Sequence, residues 1–353
     1  AGQRRAAAAG VVPVSGKHSR PPRRGVWTAL LALPLIVAAG PVPAADRAAL
    51  EAAVDEAYVL FKDVDEGETA QYIPALAAAE PDDFGRAVLT VDGQLISRGD
   101  VDQPFAIRSA AKPFTLALLM RQQGAEVVLE KIGVEPTGLP FNTLVGIDRQ
   151  DERPLNPMVN AGAIMTVSLI AATTPEARWE RIHGIFDEFA GERLPLMEDV
   201  YESVSGSNYR NRAVANLLEY NQRLGADPME TLDAYNRQSC LAITAKQLAR
   251  MGAVLANGGV DPATGNRIVD TDTVEAVLSV MLTSGFYNES GRWAFDAGLP
   301  AKSGVGGGIV AIVPGEMAIV AFSPRLSAAG NSVRGTGAIR HISEALDLSV
   351  FRP

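Results

Sequence analysis

Two β-prone stretches lie near opposite ends of this chain, and most of what separates them reads as helix. RAVLTVDGQLISRGD (86–100) sets β-prone runs on either side of Asp92-Gly93, a pair that accepts positive φ and predicts a two-residue hairpin turn. GGIVAIVPGEMAIVAFSP (307–324) repeats the pattern around Pro314-Gly315. Between them, helix-forming runs at 161–172, 176–189, 211–224, 245–257 and 273–282 are separated by Gly, Pro and Asn signals. Strands at both ends with helices between predict an α+β fold, in which the two hairpins share one antiparallel sheet and a helical lobe is inserted. A further helix precedes the first hairpin, where Leu50, Val54, Ala57, Tyr58 and Phe61 recur at helical spacing and Gly67 follows. Another closes the chain near Leu348.

The ends of the chain differ in charge. Residues 1–44 hold Arg4, Arg5, Lys17, Arg20, Arg23 and Arg24 and no acid, while the rest carries 26 Lys and Arg against 41 Asp and Glu. So acidic a body argues against nucleic acid or an anionic membrane as partner. The basic start leads into VWTALLALPLIVAAG and then PVPAAD, the order of a secretory signal with cleavage after Ala44 or Ala45. Residues 1–44 are therefore expected to be a signal peptide and 45–353 one exported domain, periplasmic or extracellular. The apolar run is shorter than the roughly 18 residues of a membrane span, and Pro34 interrupts it. Arg23-Arg24 also fits a twin-arginine route. Cys240 is the only cysteine, so export brings no disulfide framework.

For chemistry, His18, His183 and His341 show no metal-ligand spacing, there is no G-x-S-x-G elbow, and the glycines at 304–308 do not complete G-x-G-x-x-G. Neither metal nor nucleotide cofactor is expected. FAIRSAAKPF (105–114) sets Ser109 three residues before Lys112, where a β-like run meets a buried helix expected from Ala110 to Gln123. Side chains at i and i+3 share a helix face, and a buried lysine can lose its proton and serve as base to a serine hydroxyl. Downstream, LPAKSGVGGGIVAIV places Lys302-Ser303-Gly304 at the start of a strand, the position of K-T-G in penicillin-recognising enzymes with S-x-x-K. Lys302 would add positive potential and a nearby backbone N–H would complete an oxyanion hole. The competing reading makes this a glycine-rich start to a strand with Lys302 on the surface.

YIPALA (72–77), SAAK (109–112), VEPTGLPFN (134–142), NPMVNAGAI (156–164), RNRAVA (210–215), LDAYNRQSC (232–240), GFYNESGRWAF (285–295), LPAKSGVGGGI (299–309) and GNSVRG (330–335) follow one another in order. Together they resemble the serine-dependent glutaminase family over almost the whole mature chain. The resemblance implies a β-lactamase/transpeptidase-like fold, assembly as homodimer or homotetramer, and cofactor-free hydrolysis of the glutamine side-chain amide to glutamate and ammonia. It further implies Ser109 as nucleophile, Lys112 as its base and Tyr235 as proton relay to the leaving ammonia. Tyr72, Asn160, Asn211 and Tyr287 would hold the amino-acid end of the substrate, with the Ser109 and Val305 N–H groups as oxyanion hole. On its own pattern, Asn160 also fits a helix N-cap.

This chain departs from the family at two binding positions. Arg108 stands where the family has glutamine, and Val204 where it has the glutamate that accepts the substrate's α-ammonium. An unpaired ammonium is costly to bury. Either Glu202 turns inward, or the substrate is N-acylated or more anionic and pairs with Arg108. The change from Gln-Cys-Ser to Gln238-Ser239-Cys240 reads as neutral. The competing functions are β-lactam or peptidoglycan acyl transfer, for which no S-D-N-like element is found, and a sensor that kept the fold and lost turnover.

Overall fold

The computed structural model describes residues 44–144, 147 and 155–352, so the expected signal segment lies, except for Ala44, outside the described residues. The strands are β1 (Gly85–Thr90), β2 (Leu95–Gly99), β3 (Phe105–Ala106), β4 (Ala242–Ile243), β5 (Ala301–Ser303), β6 (Gly308–Val313) and β7 (Met317–Phe322). Five of them form one sheet in the order β2-β1-β7-β6-β5. Every pairing is antiparallel, and β1 runs along all of β7, with Val88 opposite Ile319. The two hairpins do share one sheet. The helices between them build the inserted lobe of the expected β-lactamase-like α+β architecture.

Residues of β6 and β7 are buried on both faces, which is why these strands read as continuous apolar runs. One face (Val88, Ile309, Ala311, Ile319, Ala321) packs with Leu50, Val54, Ala338 and Ile342 of the first and last helices, Ala44–Phe61 and Val333–Ala345. The other (Val310, Ile312, Ala318, Val320) belongs to the large core of the helical lobe. There the helix Ala245–Ala256 comes so close that a Cβ on Gly252 would sit 2.7 Å from Ala318 Cβ and 2.8 Å from Val310 Cγ2.

Four expectations need correction. The first hairpin closes through three residues, because Thr90 N–H bonds Gln94 O at 3.1 Å and only Gly93 takes positive φ, at 88°. The helix after Ser109 begins at Lys112, with Pro113 in its first turn, so the serine lies on a preceding 3₁₀ turn, Arg108–Ala111. Lys302-Ser303 ends the separate edge strand β5, and Gly304–Gly307 turn the chain into β6. Two helices that supply the site went unread, Glu198–Ser207 and Pro228–Ser239. The second carried a legible signal: Asp227 caps Met229 and Glu230 N–H, and Pro228 sits at the first helical position. The first is interrupted by Ser and Gly, and tertiary packing of Val200 and Val204 holds it.

Candidate active site

Ser109 sits where β3 meets the lobe. The connection is sharp because Arg108 adopts φ +50°, a conformation that side chains bearing Cβ rarely accept. On a 3₁₀ turn residues i and i+3 eclipse, and the Lys112 N–H bonds the Ser109 carbonyl, so the Lys112 side chain rises under the serine. The glycine turn after β5 presses on the same place. A Cβ on Gly304 would lie 2.8 Å from Ile107 O and 3.3 Å from Ser109 N, and one on Gly306 would lie 2.1 Å from Ala106 O. Glycine there lets the backbone around Val305 approach the backbone of Ser109.

Two lysines lie buried beneath this contact. Lys112 Nζ donates to Asn160 Oδ1 at 2.8 Å and Met158 O at 3.1 Å. Burial first, and the Arg108 charge second, push its pKa down to about 7. A neutral amine has two N–H bonds and one lone pair. The two acceptors take both N–H groups, which leaves the lone pair free for a hydroxyl proton. Lys302 is fully buried, not on the surface, and donates to Gly285 O at 2.8 Å and Ser303 O at 2.7 Å. Burial and then the Lys112 charge hold its pKa well below that of a free lysine. Its Nζ stands 4.0 Å from the centre of the Tyr287 ring.

Both tyrosines are buried. Tyr287, at φ +59°, donates its hydroxyl to Ser303 O at 3.1 Å. Burial raises its pKa, and nearby Ser109 works in the opposite direction. Tyr235, also buried and raised by burial, donates to Asn160 Oδ1 at 3.1 Å and lines the cleft. Asn160 does not cap its helix, whose N-cap is Val159; its side chain joins Lys112, Tyr235 and Asn211 Oδ1 in one network.

Above Ser109 opens a cleft of about 140 Å³ that brings together Tyr72, Arg108, Ser109, Asn160, Val204, Asn211, Tyr235 and Val305. Tyr72 is largely exposed at the mouth, and Val204 is buried in the wall. Lys112, Lys302 and Tyr287 lie behind the serine rather than among the cleft's lining residues. Glu202 is exposed and does not turn inward. The exchanged pair Ser239-Cys240 meets Arg108, whose Nη1 donates to Ser239 Oγ at 2.9 Å and contacts Cys240 Sγ at 3.2 Å. Arginine before the nucleophile and a hydroxyl at 239 are parts of one arrangement. Sequence reasoning also missed Phe141, Asn142 and Arg210 in the lining, though each stands inside or beside a quoted motif. It missed Asn331 as well, a buried bridge that accepts from Ser303 Oγ and donates to Glu289.

An accessible serine one turn before a buried lysine amine, against an edge strand carrying a second lysine, defines the site of a serine–lysine hydrolase fold. The glutaminase family profile matches residues 67–351. A glutaminase of Colwellia psychrerythraea is 47% identical over 302 residues, covering 86% of this chain and 97% of that protein. Among solved structures, the probable glutaminase ybaS superposes with a TM-score of 0.85 at 44% identity, over 87% of this chain and 99% of that one. Mglu in its glutamate form superposes with a TM-score of 0.81 at 38% identity, over 84% and 69%. The chain belongs to the glutaminase family.

Proposed function

We propose that the protein hydrolyses the side-chain amide of glutamine to glutamate and ammonia through an acyl-enzyme on Ser109. The observation that carries this reading is the buried Lys112 amine one turn after Ser109, with both neutral N–H bonds taken and its pKa near 7. Lys112 takes the hydroxyl proton as Ser109 Oγ attacks the carboxamide carbon. The oxyanion forms toward the N–H groups of Ser109 and Val305, whose approach the glycine turn permits. Collapse expels ammonia, which needs a proton. The nearness of Tyr287 to Ser109 favours Tyr287 as the relay, with Lys302 beneath its ring. Tyr235 then belongs with Asn160, Asn211 and Tyr72 on the substrate side. The proton that Lys112 took passes through the relay to the departing ammonia, which restores the neutral amine; water then attacks the ester with Lys112 again as base, and the proton it takes returns to Ser109 Oγ as glutamate leaves.

Ammonia release from glutamine-type amides tests the reaction, and rapid-quench mass spectrometry tests the intermediate. One glutamyl unit on Ser109 in the wild type and none in S109A is expected. Turnover by S109A within tenfold of wild type overturns the scheme. The basic, apolar and small-residue order of residues 1–44 supports export, testable by fractionating cells that express the full chain. The match to the glutaminase family supports assembly as a homodimer or homotetramer, testable by light scattering.

A further inference from the structure

The cleft over Ser109 carries a charge pattern that amide hydrolysis itself does not require. Among the described residues its lining includes Arg108 and Arg210 and no aspartate or glutamate. The acids of the helix that carries Val204, namely Glu198, Asp199 and Glu202, are exposed, while Val204 presents a buried isopropyl group to the cleft. Arg108 is held in place through Nη1 by Ser239 and Cys240, and its Nε is buried without a hydrogen-bond partner. A free amino acid brings both an α-carboxylate and an α-ammonium. The carboxylate matches two guanidinium groups; the ammonium would find only neutral oxygens, the Val204 wall and like charge, with no carboxylate in the lining to pair with it.

Acylation removes that mismatch. An acylated α-nitrogen is neutral and donates a single N–H, which an asparagine or tyrosine oxygen can accept, and the α-carboxylate is kept. The acyl group needs room. A groove of about 790 Å³ adjoins the cleft of 140 Å³ and shares Tyr72, Phe141 and Asn142 with it as a common wall. Its further lining includes small residues such as Ala328 and Gly330, and also the acids Glu68 and Glu289.

From this we infer that the preferred substrate is a glutamine whose α-nitrogen is acylated, as in N-acylglutamine or a C-terminal glutamine of a peptide; the inference rests on the glutamine-amide reading above. The test compares kcat/KM of the full chain on N-acetyl-L-glutamine and on L-glutamine by ammonia release, in wild type, V204E and R108Q. The wild type is expected to favour the acetylated substrate at least tenfold, and each variant to shrink that ratio at least tenfold, V204E by giving the ammonium a partner and R108Q by removing a cation. Free glutamine turned over as well as or better than N-acetyl-L-glutamine by the wild type overturns the inference and leaves amide hydrolysis standing. A wild-type preference that neither variant changes overturns its electrostatic basis. Release from neither substrate, by wild type that labels with no glutamyl group, overturns the underlying reading and the inference with it.

Discussion

Lys112 gives the sharpest test of the chemistry, because its protonation state sets the amount of available base. The side chain is 2% exposed, and burial followed by the Arg108 charge lowers its pKa from 10.5 to about 7. In water such an amine would be neutral in roughly 3 molecules in 10⁴ at pH 7; in the folded site about half are neutral. The environment thus raises the concentration of active base about 10³-fold, which corresponds to roughly 4 kcal/mol. The active form is the deprotonated one, so activity is present above the folded pKa and lost below it. kcat/KM should fall about tenfold per pH unit below pH 7 and level off above it. K112R keeps a charge at the site but cannot surrender its proton, and should lose about 10²- to 10⁴-fold at every pH. A kcat/KM profile that is flat between pH 5 and 8, or K112R activity within tenfold of wild type, would refute the assignment of Lys112 as base.

Three further outcomes follow from neighbouring contacts. R108Q removes the second cause of the Lys112 shift, so the acidic limb of kcat/KM should move to higher pH by roughly half a unit to two units; a limb that stays put or moves down contradicts the coupling. G306A puts a methyl 2.1 Å from the Ala106 carbonyl, an atom of backbone that cannot swing aside, so activity should fall at least about 100-fold through displacement of the Ser109 turn. G184A, at a glycine with open space and an ordinary φ, controls for glycine loss as such, and equal activity losses in the two variants would discount the contact. Arg86 is fully buried between the Tyr58 and Phe84 rings, and none of its three side-chain nitrogens has a hydrogen-bond partner. R86M should therefore leave Tm unchanged or raise it; a fall of more than about 5 °C would mean that the ring stacking outweighs desolvation of the guanidinium.

The fold was legible because its signals are local and repeated. β1–β2 and β6–β7 each announce themselves by β-prone runs around a turn, and the shared sheet follows from where they stand in the chain. β5 was not legible as a separate strand, since three residues followed by a glycine turn run on into β6 without a break in pattern. That Ser109 stands one turn before a buried Lys112 was legible from spacing, and the gathering of Asn160, Tyr235 and Tyr287 around them from the family's motifs. What spacing cannot carry is which of two buried tyrosines touches the serine, because that depends on Tyr287 turning back through a positive φ. The partnership of Arg108 with Ser239 and Cys240 was equally hidden. Those residues are separated by 131 positions and meet only because β3 and β4 pair just beyond them.

That partnership explains how a site with so many cations stays foldable. Arg108, Lys112 and Lys302 share one cluster, and no carboxylate lies among the described residues of its cleft. Three full positive charges at such separations would repel by several kcal/mol even with substantial screening. The structure lowers the load where protons can leave. Each lysine faces two carbonyl-type acceptors, which suits a neutral amine, and each has its pKa depressed by burial and by a neighbouring cation. Arginine cannot shed its proton in that range, so Arg108 keeps the charge and is the one tied by a hydroxyl and a sulfur at the cleft's edge. The permanent cation therefore lies at the cleft while the lysines behind it are held toward the neutral form. In the proposed reaction, that one electrostatic arrangement would both select an anionic substrate and activate Ser109.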